Sequence, residues 1–224
     1  MASTKPILYG LYSSPMVNSV VMILKALNVD FEFRKVRPMK KETQTAEYLK
    51  KNPTATIPCL ETEDHRFIGD SHAISIYLVE RYGLDDSLYP EDIFKRAKVH
   101  QLQHFSNCIL FTSCVRPAYA PIFARQTTTV SEEVLRAIDG AMLIMERFLE
   151  QNQWVACERL TIADFNCITS IASLYRLRPF TEQSHPRLHD WFQRMLAIPY
   201  VMETLSSDAM NTTKRFLSKK MSHL

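Results

Sequence analysis

Hydrophobic positions change their period several times within the first eighty residues. Ile7–Tyr9 is a short apolar run that reads as a strand, and the stretch from about Pro15 to Leu27 carries helical spacing. Asp30–Val36 alternates as a second strand, and a helix is predicted from about Thr43 to Lys51. Thr56–Glu61 and His65–Ile68 follow as short strands, then a helix from Ser71 to about Tyr82. The order β-α-β-α-β-β-α predicts a small α/β domain over residues 1–83. Residues 84–92 are turn-rich and read as a linker. Beyond them the pattern is helical throughout, which predicts an all-α domain over residues 93–224. Its helices are expected over about Ile93–Ala124, Ser131–Gln151, Ile162–Tyr175, His185–Ala197 and Tyr200–Ser218, interrupted by Pro117, Pro121, Pro179 and Pro199. The fold class is therefore α/β plus all-α.

Composition narrows the function. With 27 basic against 24 acidic residues, the positive excess is too small for a dedicated nucleic-acid binder, although small anionic ligands fit. No run of about 18 apolar residues and no basic-then-apolar leader is visible, so neither a membrane span nor a signal peptide is expected. A cytoplasmic location is the default. The 4 glycines lie far apart, which excludes phosphate-cradling and dinucleotide loops. Cys59, Cys108, Cys114, Cys157 and Cys167 contain no C-x-x-C pair and read as reduced, mostly buried thiols. His100/His104 and His185/His189 have helical i,i+4 spacing without a carboxylate that completes a metal motif, so no metal is expected.

Candidate chemistry gathers in the first domain. Ser13-Ser14-Pro15 places a serine at a helix N-cap and proline at the first helical position, where its missing N–H costs nothing. Free amides and the positive end of the helix dipole make such a start an anion site. A hydroxyl there can donate to a thiolate, or it can simply cap the helix. Thr56-Ile57-Pro58 either starts a strand or, with a cis bond, exposes the backbone of Ile57 to an extended peptide. Asp70-Ser71 opens another helix, with amides suited to a carboxylate and an aspartate suited to an ammonium. Together these features suit a small peptide-like anion that carries a thiol.

An ordered set of segments then carries a family resemblance: Leu8-Tyr9 with Ser14-Pro15, Asn52-Pro53 with Thr56-Ile57-Pro58, and Asp70-Ser71-His72-Ala73-Ile74. Asp86-Ser87-Leu88-Tyr89-Pro90, Leu160-Thr161-Ile162-Ala163-Asp164-Phe165, and Pro186, Trp191, Arg194, Ala197 and Pro199 complete it. Over residues 6–201 the chain resembles the cytosolic glutathione S-transferases and is most similar to the insect delta and epsilon classes. The resemblance implies a thioredoxin-like first domain, a helical second domain, a cytoplasmic homodimer, and conjugation of glutathione to small hydrophobic electrophiles in detoxification. It assigns thiolate stabilisation to Ser14, the cysteinyl part of glutathione to Ile57 and Pro58, and the γ-glutamyl end to Asp70 and Ser71. His72 falls at the family's dimer interface. Leu11, Phe111, Val115, Tyr119 and Phe216 are the expected electrophile pocket, within or beside an apolar stretch from Phe105 to Arg125 that contains no acidic residue.

The chain departs from the family at several of these positions. Ala55 and Thr43 stand where two histidines usually face the glycine carboxylate of glutathione, Asn18 replaces an arginine, and Cys157 replaces a glycine. Losing two charge-assisted hydrogen bonds, each worth about 1.5–3 kcal/mol, would weaken glutathione binding by one to several orders of magnitude. Lys40, Lys41, Lys50 or Lys51 could compensate. Two readings stand side by side: an active transferase, carried by Ser14, Asp70 and Ser71, and a catalytically weak binder of hydrophobic ligands, carried by Ala55, Thr43 and Asn18. Thiol–disulfide chemistry is disfavoured, because serines occupy the place where it needs a cysteine. Thr161-x-x-Asp164 has the form of a capping box and is assigned to folding.

Overall fold

The computed structural model describes residues 5–206. These divide into two compact units, one through Asp85 and the other from Asp86. The first unit contains β1 (Ile7–Gly10), α1 (Pro15–Ala26), β2 (Glu32–Lys35), α2 (Ala46–Lys51), β3 (Cys59–Glu61), β4 (Phe67–Gly69) and α3 (Ser71–Tyr82). Its sheet has the order β2-β1-β3-β4, with β1 and β2 parallel and the other pairs antiparallel, in the thioredoxin-like arrangement that the resemblance implies.

The two faces of this sheet follow from strand alternation. Ile7, Tyr9 and Cys59 point to one side and form a core with Val36 and with Tyr48 of α2. Leu8 and Leu60 point to the other side, fully buried, where α1 and α3 pack together. Helix α1 has no solvent face from Met16 to Leu24, so its sequence reads as nearly continuous apolar residues. It lies so close to β1 that a Cβ on Gly10 would stand 2.7 Å from Val17 Cγ1. Only glycine permits that approach.

Differences from the expected elements have local causes. Thr45 breaks the expected Thr43–Lys51 helix, because its Oγ1 accepts the Tyr48 amide and starts α2 there; Glu42–Gln44 forms a separate 3-10 turn. Strand β3 begins only after Pro58, a residue with no N–H to give a ladder. The β3–β4 turn places His65 at φ 59°, so β4 starts two residues later than the alternation suggested.

The second unit contains α4 (Ile93–Phe105), a π-helical segment (Ser106–Val115), α5 (Arg116–Phe123), α6 (Glu132–Phe148), α7 (Ile162–Tyr175), α8 (Pro186–Leu196) and α9 (Pro199–Leu205). Helix α7 is its core, buried from Ile162 through Leu174. The expected long helix over 93–124 persists through Phe123, but its middle is wound wider. Pro117 supplies no N–H to the carbonyl four residues earlier and crowds it, which favours a wider turn upstream. Ser113 Oγ donates to the Cys108 carbonyl five residues back at 2.8 Å. The expected last helix, Tyr200–Ser218, is found as the short α9, which starts at Pro199 and ends at Leu205 with Ser206 as its C-cap; residues 207–218 lie outside the described residues.

Candidate functional site

Strand register gathers the candidate residues of the first unit. Tyr9 pairs with Cys59, and Cys59 with Gly69, so these three residues form a row across one end of the sheet. The chain beyond each member leads directly to one of the three candidate segments: Leu11–Ser14 after β1, Ile57-Pro58 before β3, and Asp70-Ser71 after β4.

Ser14 closes a tight turn, its amide donating to the Leu11 carbonyl at 2.8 Å, and its own carbonyl accepts the Asn18 amide at 3.1 Å. It is the N-cap of α1 by backbone position, with φ −89° and ψ 123°, yet its side chain makes no capping bond. The hydroxyl is half-buried and bonded to nothing among the described residues. Helix α1 carries no acidic residue in its first turn, so its free amides meet no competing anion there.

The Ile57-Pro58 peptide is cis. The Thr56 carbonyl just before it accepts from both Tyr48 Oη at 2.7 Å and Asn52 Nδ2 at 2.9 Å, while Asn52 Oδ1 accepts from Thr54 Oγ1 at 2.8 Å. With the loop held from behind, neither the amide nor the carbonyl of Ile57 is engaged by another described residue. Pro58 is buried beneath it.

Asp70 caps α3, with Oδ1 accepting the His72 amide at 2.9 Å and the Ala73 amide at 3.1 Å. It is exposed and held at φ 70°, ψ 125°, a conformation that costs a non-glycine residue about 1–3 kcal/mol and concentrates at ligand sites. Ser71 is buried, its Oγ donating to Met16 Sδ at 3.5 Å. That contact sets the first turns of α1 and α3 side by side, so their free amides converge.

Thr43 and Ala55 bring no charge to this end of the unit. Thr43 is buried in its 3-10 turn, which Glu42 pins by accepting the Arg37 amide at 2.6 Å and Arg37 Nη1 at 3.0 Å. Ala55 is half-buried at φ 55°. Among the four lysines named above, Lys51 is committed to aromatic faces, its Nζ lying 5.3 Å from the Tyr9 ring centre and 4.8 Å from that of Phe67. Lys40, Lys41 and Lys50 are exposed.

Sequence reasoning missed a polar network on the α2 face of the same sheet. Tyr9 Oη donates to Glu61 Oε2 at 2.6 Å, Arg34 Nη1 donates to Tyr9 Oη at 3.0 Å, and His65 Nδ1 lies 2.8 Å from Glu61 Oε1. Burial and the Glu61 carboxylate push the Tyr9 hydroxyl up to about 12. Burial also opposes ionisation of Glu61, but the bonds from Tyr9 and His65 and the Lys51 charge outweigh it and hold the carboxyl below its ordinary range. No local motif signals this network, since its bonded partners are up to 52 residues apart.

In the second unit, Val115 and Tyr119 are buried, and Tyr119 Oη donates to the Ser173 carbonyl of α7 at 2.6 Å. Phe111, on the π-helical segment, is half-buried, as is Leu11 in the first unit. Phe216 lies outside the described residues. His72 is buried on α3. Among the described residues no three His, Cys, Asp or Glu side chains group as metal ligands, and no helix is long and apolar enough to cross a membrane. Burial pushes the thiols of Cys59 and Cys114 up to about 11 and raises those of Cys157 and Cys167, which keeps all four neutral.

The glutathione S-transferase N-terminal domain, as a family model, matches residues 8–86, and the glutathione S-transferase C-terminal domain matches residues 108–199. The chain belongs to the glutathione S-transferase family. It is 37% identical over 189 residues to glutathione S-transferase 1 of Manduca sexta, covering 84% of this chain and 86% of that one. A solved epsilon-class glutathione S-transferase from the housefly, Musca domestica, is 39% identical with a TM-score of 0.90, over 97% of this chain and 98% of that one. A glutathione transferase homologue from Drosophila mojavensis, solved with bound glutathione, is 40% identical with a TM-score of 0.90, over 96% and 97% of the two chains. The chain is thus a glutathione transferase, an enzyme with glutathione as its co-substrate.

Proposed function

We propose that this transferase activates glutathione through Ser14 and conjugates it to small hydrophobic electrophiles. The observation that carries this reading is the Ser14 hydroxyl, which stands at a helix start without capping it. Donation from that hydroxyl, together with the α1 dipole, lowers the glutathione thiol by about 2 units, or about 2.7 kcal/mol, and makes thiolate the major form near neutral pH. The thiol proton passes to solvent. The sulfur then attacks the electrophilic carbon, a C–S bond forms, and any leaving group departs with its electron pair.

The remaining residues divide the peptide among them. The backbone of Ile57, above Pro58, pairs with the cysteinyl unit. Asp70 Oδ2, which no described residue engages, takes the γ-glutamyl ammonium, and the Ser71 amide at the start of α3 takes its carboxylate. Thr43 and Ala55 flank the glycine end without a charge. The domain of residues 1–83 supplies this site. The helical domain of residues 93–224, joined through 84–92, contributes Phe111, Val115 and Tyr119 to the binding of the electrophile. The enzyme acts in the cytoplasm as a homodimer with His72 at its interface.

Calorimetric titration of glutathione, paired with a chromogenic conjugation assay on wild type and Ser14→Ala, tests the proposal. The expected result is binding at millimolar or tighter affinity, with turnover that depends on Ser14. Binding weaker than millimolar without Ser14-dependent turnover overturns it in favour of a ligand carrier.

A further inference from the structure

The turn that carries Ser14 contains no glycine, and neither of its central residues, Tyr12 and Ser13, has a positive φ. A backbone hydrogen bond from the Ser14 amide to the Leu11 carbonyl closes it. The Ser14 hydroxyl has no side-chain or backbone partner among the described residues to hold its direction, so its position is inherited from the turn. Such inheritance is demanding. Hydrogen bonds weaken steeply once the donor angle is lost, and a 1 Å misplacement at a reacting centre costs up to about 100-fold in rate.

Something beyond the closing bond therefore has to hold the turn, and its one aromatic residue is placed to do so. The Tyr12 ring stacks on the Phe33 ring with centres 4.0 Å apart and planes 15° from parallel. Phe33 is an interior residue of β2, in parallel register with Leu8, which is fully buried. The chain thus runs out along β1, turns at Leu11, and lays the Tyr12 ring back over the neighbouring strand, one residue pair before the active hydroxyl. A face-to-face contact of two large rings restricts both sliding and tilting of the turn, which a single backbone bond does not.

We propose that Tyr12 is a positioning residue, whose stack on Phe33 fixes the Leu11–Ser14 turn so that the Ser14 hydroxyl meets the glutathione sulfur. This rests on the assignment of thiolate stabilisation to Ser14. The Tyr12 ring, through its stack on Phe33, is the working part. Tyr12 acts on the ionisation of bound glutathione and leaves the grip on the peptide, through Ile57, Asp70 and Ser71, in place.

The test compares the pH dependence of kcat/KM and the thiolate absorbance of bound glutathione in wild type, Tyr12→Phe, Tyr12→Leu, Phe33→Leu, Ser14→Ala and the double variant Ser14→Ala/Tyr12→Leu. The leucine variants keep apolar cover over the sheet, and thermal melting checks each fold. Tyr12→Leu and Phe33→Leu are expected to raise the apparent pKa by about half a unit to one unit, a loss of about 2–5-fold at neutral pH, with glutathione KM within about twofold of wild type. Tyr12→Phe is expected to match wild type, and the double variant to match Ser14→Ala, because Tyr12 acts through Ser14. An unchanged pH profile in both leucine variants, alongside a shifted one in Ser14→Ala, overturns the role of Tyr12 and leaves the Ser14 assignment standing. An unshifted Ser14→Ala overturns that assignment and this inference with it. A Tyr12→Phe variant that loses activity, or a double variant worse than Ser14→Ala, also overturns the inference, since the tyrosine would then act by its own hydroxyl.

Discussion

Helices α1 and α7 both start at a hydroxyl residue, Ser14 in one and Thr161 in the other, and use it in opposite ways. At α7 the Thr161 hydroxyl and the Asp164 carboxylate are both consumed. Asp164, fully buried, accepts the Thr161 amide at 2.9 Å, the Thr161 hydroxyl at 3.1 Å, the Val155 amide at 2.9 Å and the Trp191 indole N–H at 2.9 Å. At α1 the serine hydroxyl is unbonded among the described residues and no acidic side chain sits in the first turn. A helix start whose donors are satisfied internally contributes stability; one whose donors are left open is ready for an anion. The difference lies in what surrounds the cap, not in the capping residue.

The sharpest way to break the comparison is to open the closed end. Asp164→Ala strands three buried N–H donors and is expected to cost about 3–5 kcal/mol, read by thermal melting and by loss of amide protection in α7. Ser14→Ala is expected to leave the melting temperature unchanged and to lower kcat/KM near neutral pH by about 30–100-fold, with activity recovering at high pH as thiolate forms unaided. Should Ser14→Ala destabilise the protein as a lost cap does, the two helix starts are alike after all.

The two buried carboxylates extend the contrast. Glu61 has Lys51 and His65 beside it and lies below its ordinary range, whereas burial raises Asp164 despite its four donors. Because the folded form of Glu61 releases its proton more readily than the unfolded chain, its contribution is fully present above about pH 4.3 and is lost as pH falls through the lower, folded value. Asp164 has the opposite sign, since the folded state takes up its proton first, so its ionisation penalty is relieved on acidification. Glu61→Gln is expected to cost about 1–3 kcal/mol at neutral pH, with the gap to wild type closing below about pH 4 in melts across a pH series. The smallest effect is expected where the chain departs from its family. On the proposed glutathione site, Ala55→His would supply a partner for the glycine carboxylate at a left-handed position that histidine tolerates better than alanine. It should lower the glutathione KM by about tenfold, measured at saturating electrophile.

Much of the first unit was legible because its signals are short-ranged. The helix starts at Ser14 and Asp70 and the strand at Ile7–Tyr9 each follow from residues within one or two turns of each other. The Thr161/Asp164 pair was equally legible as a helix start, but the Val155 and Trp191 donors were not, because they arrive from other segments. The same holds for the bracket of Tyr48 and Asn52 on the Thr56 carbonyl, the Tyr12–Phe33 stack and the Tyr9–Glu61–Arg34 network. The π-helical winding of residues 106–115 was also missed, since apolar spacing over ten residues does not separate it from an α-helix.

By itself the sequence determined the two-part organisation, the element order and the residue types placed at each helix start, since periodicity and capping act between near neighbours. It could not decide whether the Ser14 hydroxyl caps its helix or waits for a ligand, because either choice satisfies the local pattern. That choice belongs to the tertiary structure. Pairing of Tyr9 with Cys59 and of Cys59 with Gly69 brings three distant loops to one sheet end, and the contact of Ser71 with Met16 aligns two helix starts there. Such long-range contacts alone settle which polar groups are consumed by the fold and which are left for chemistry.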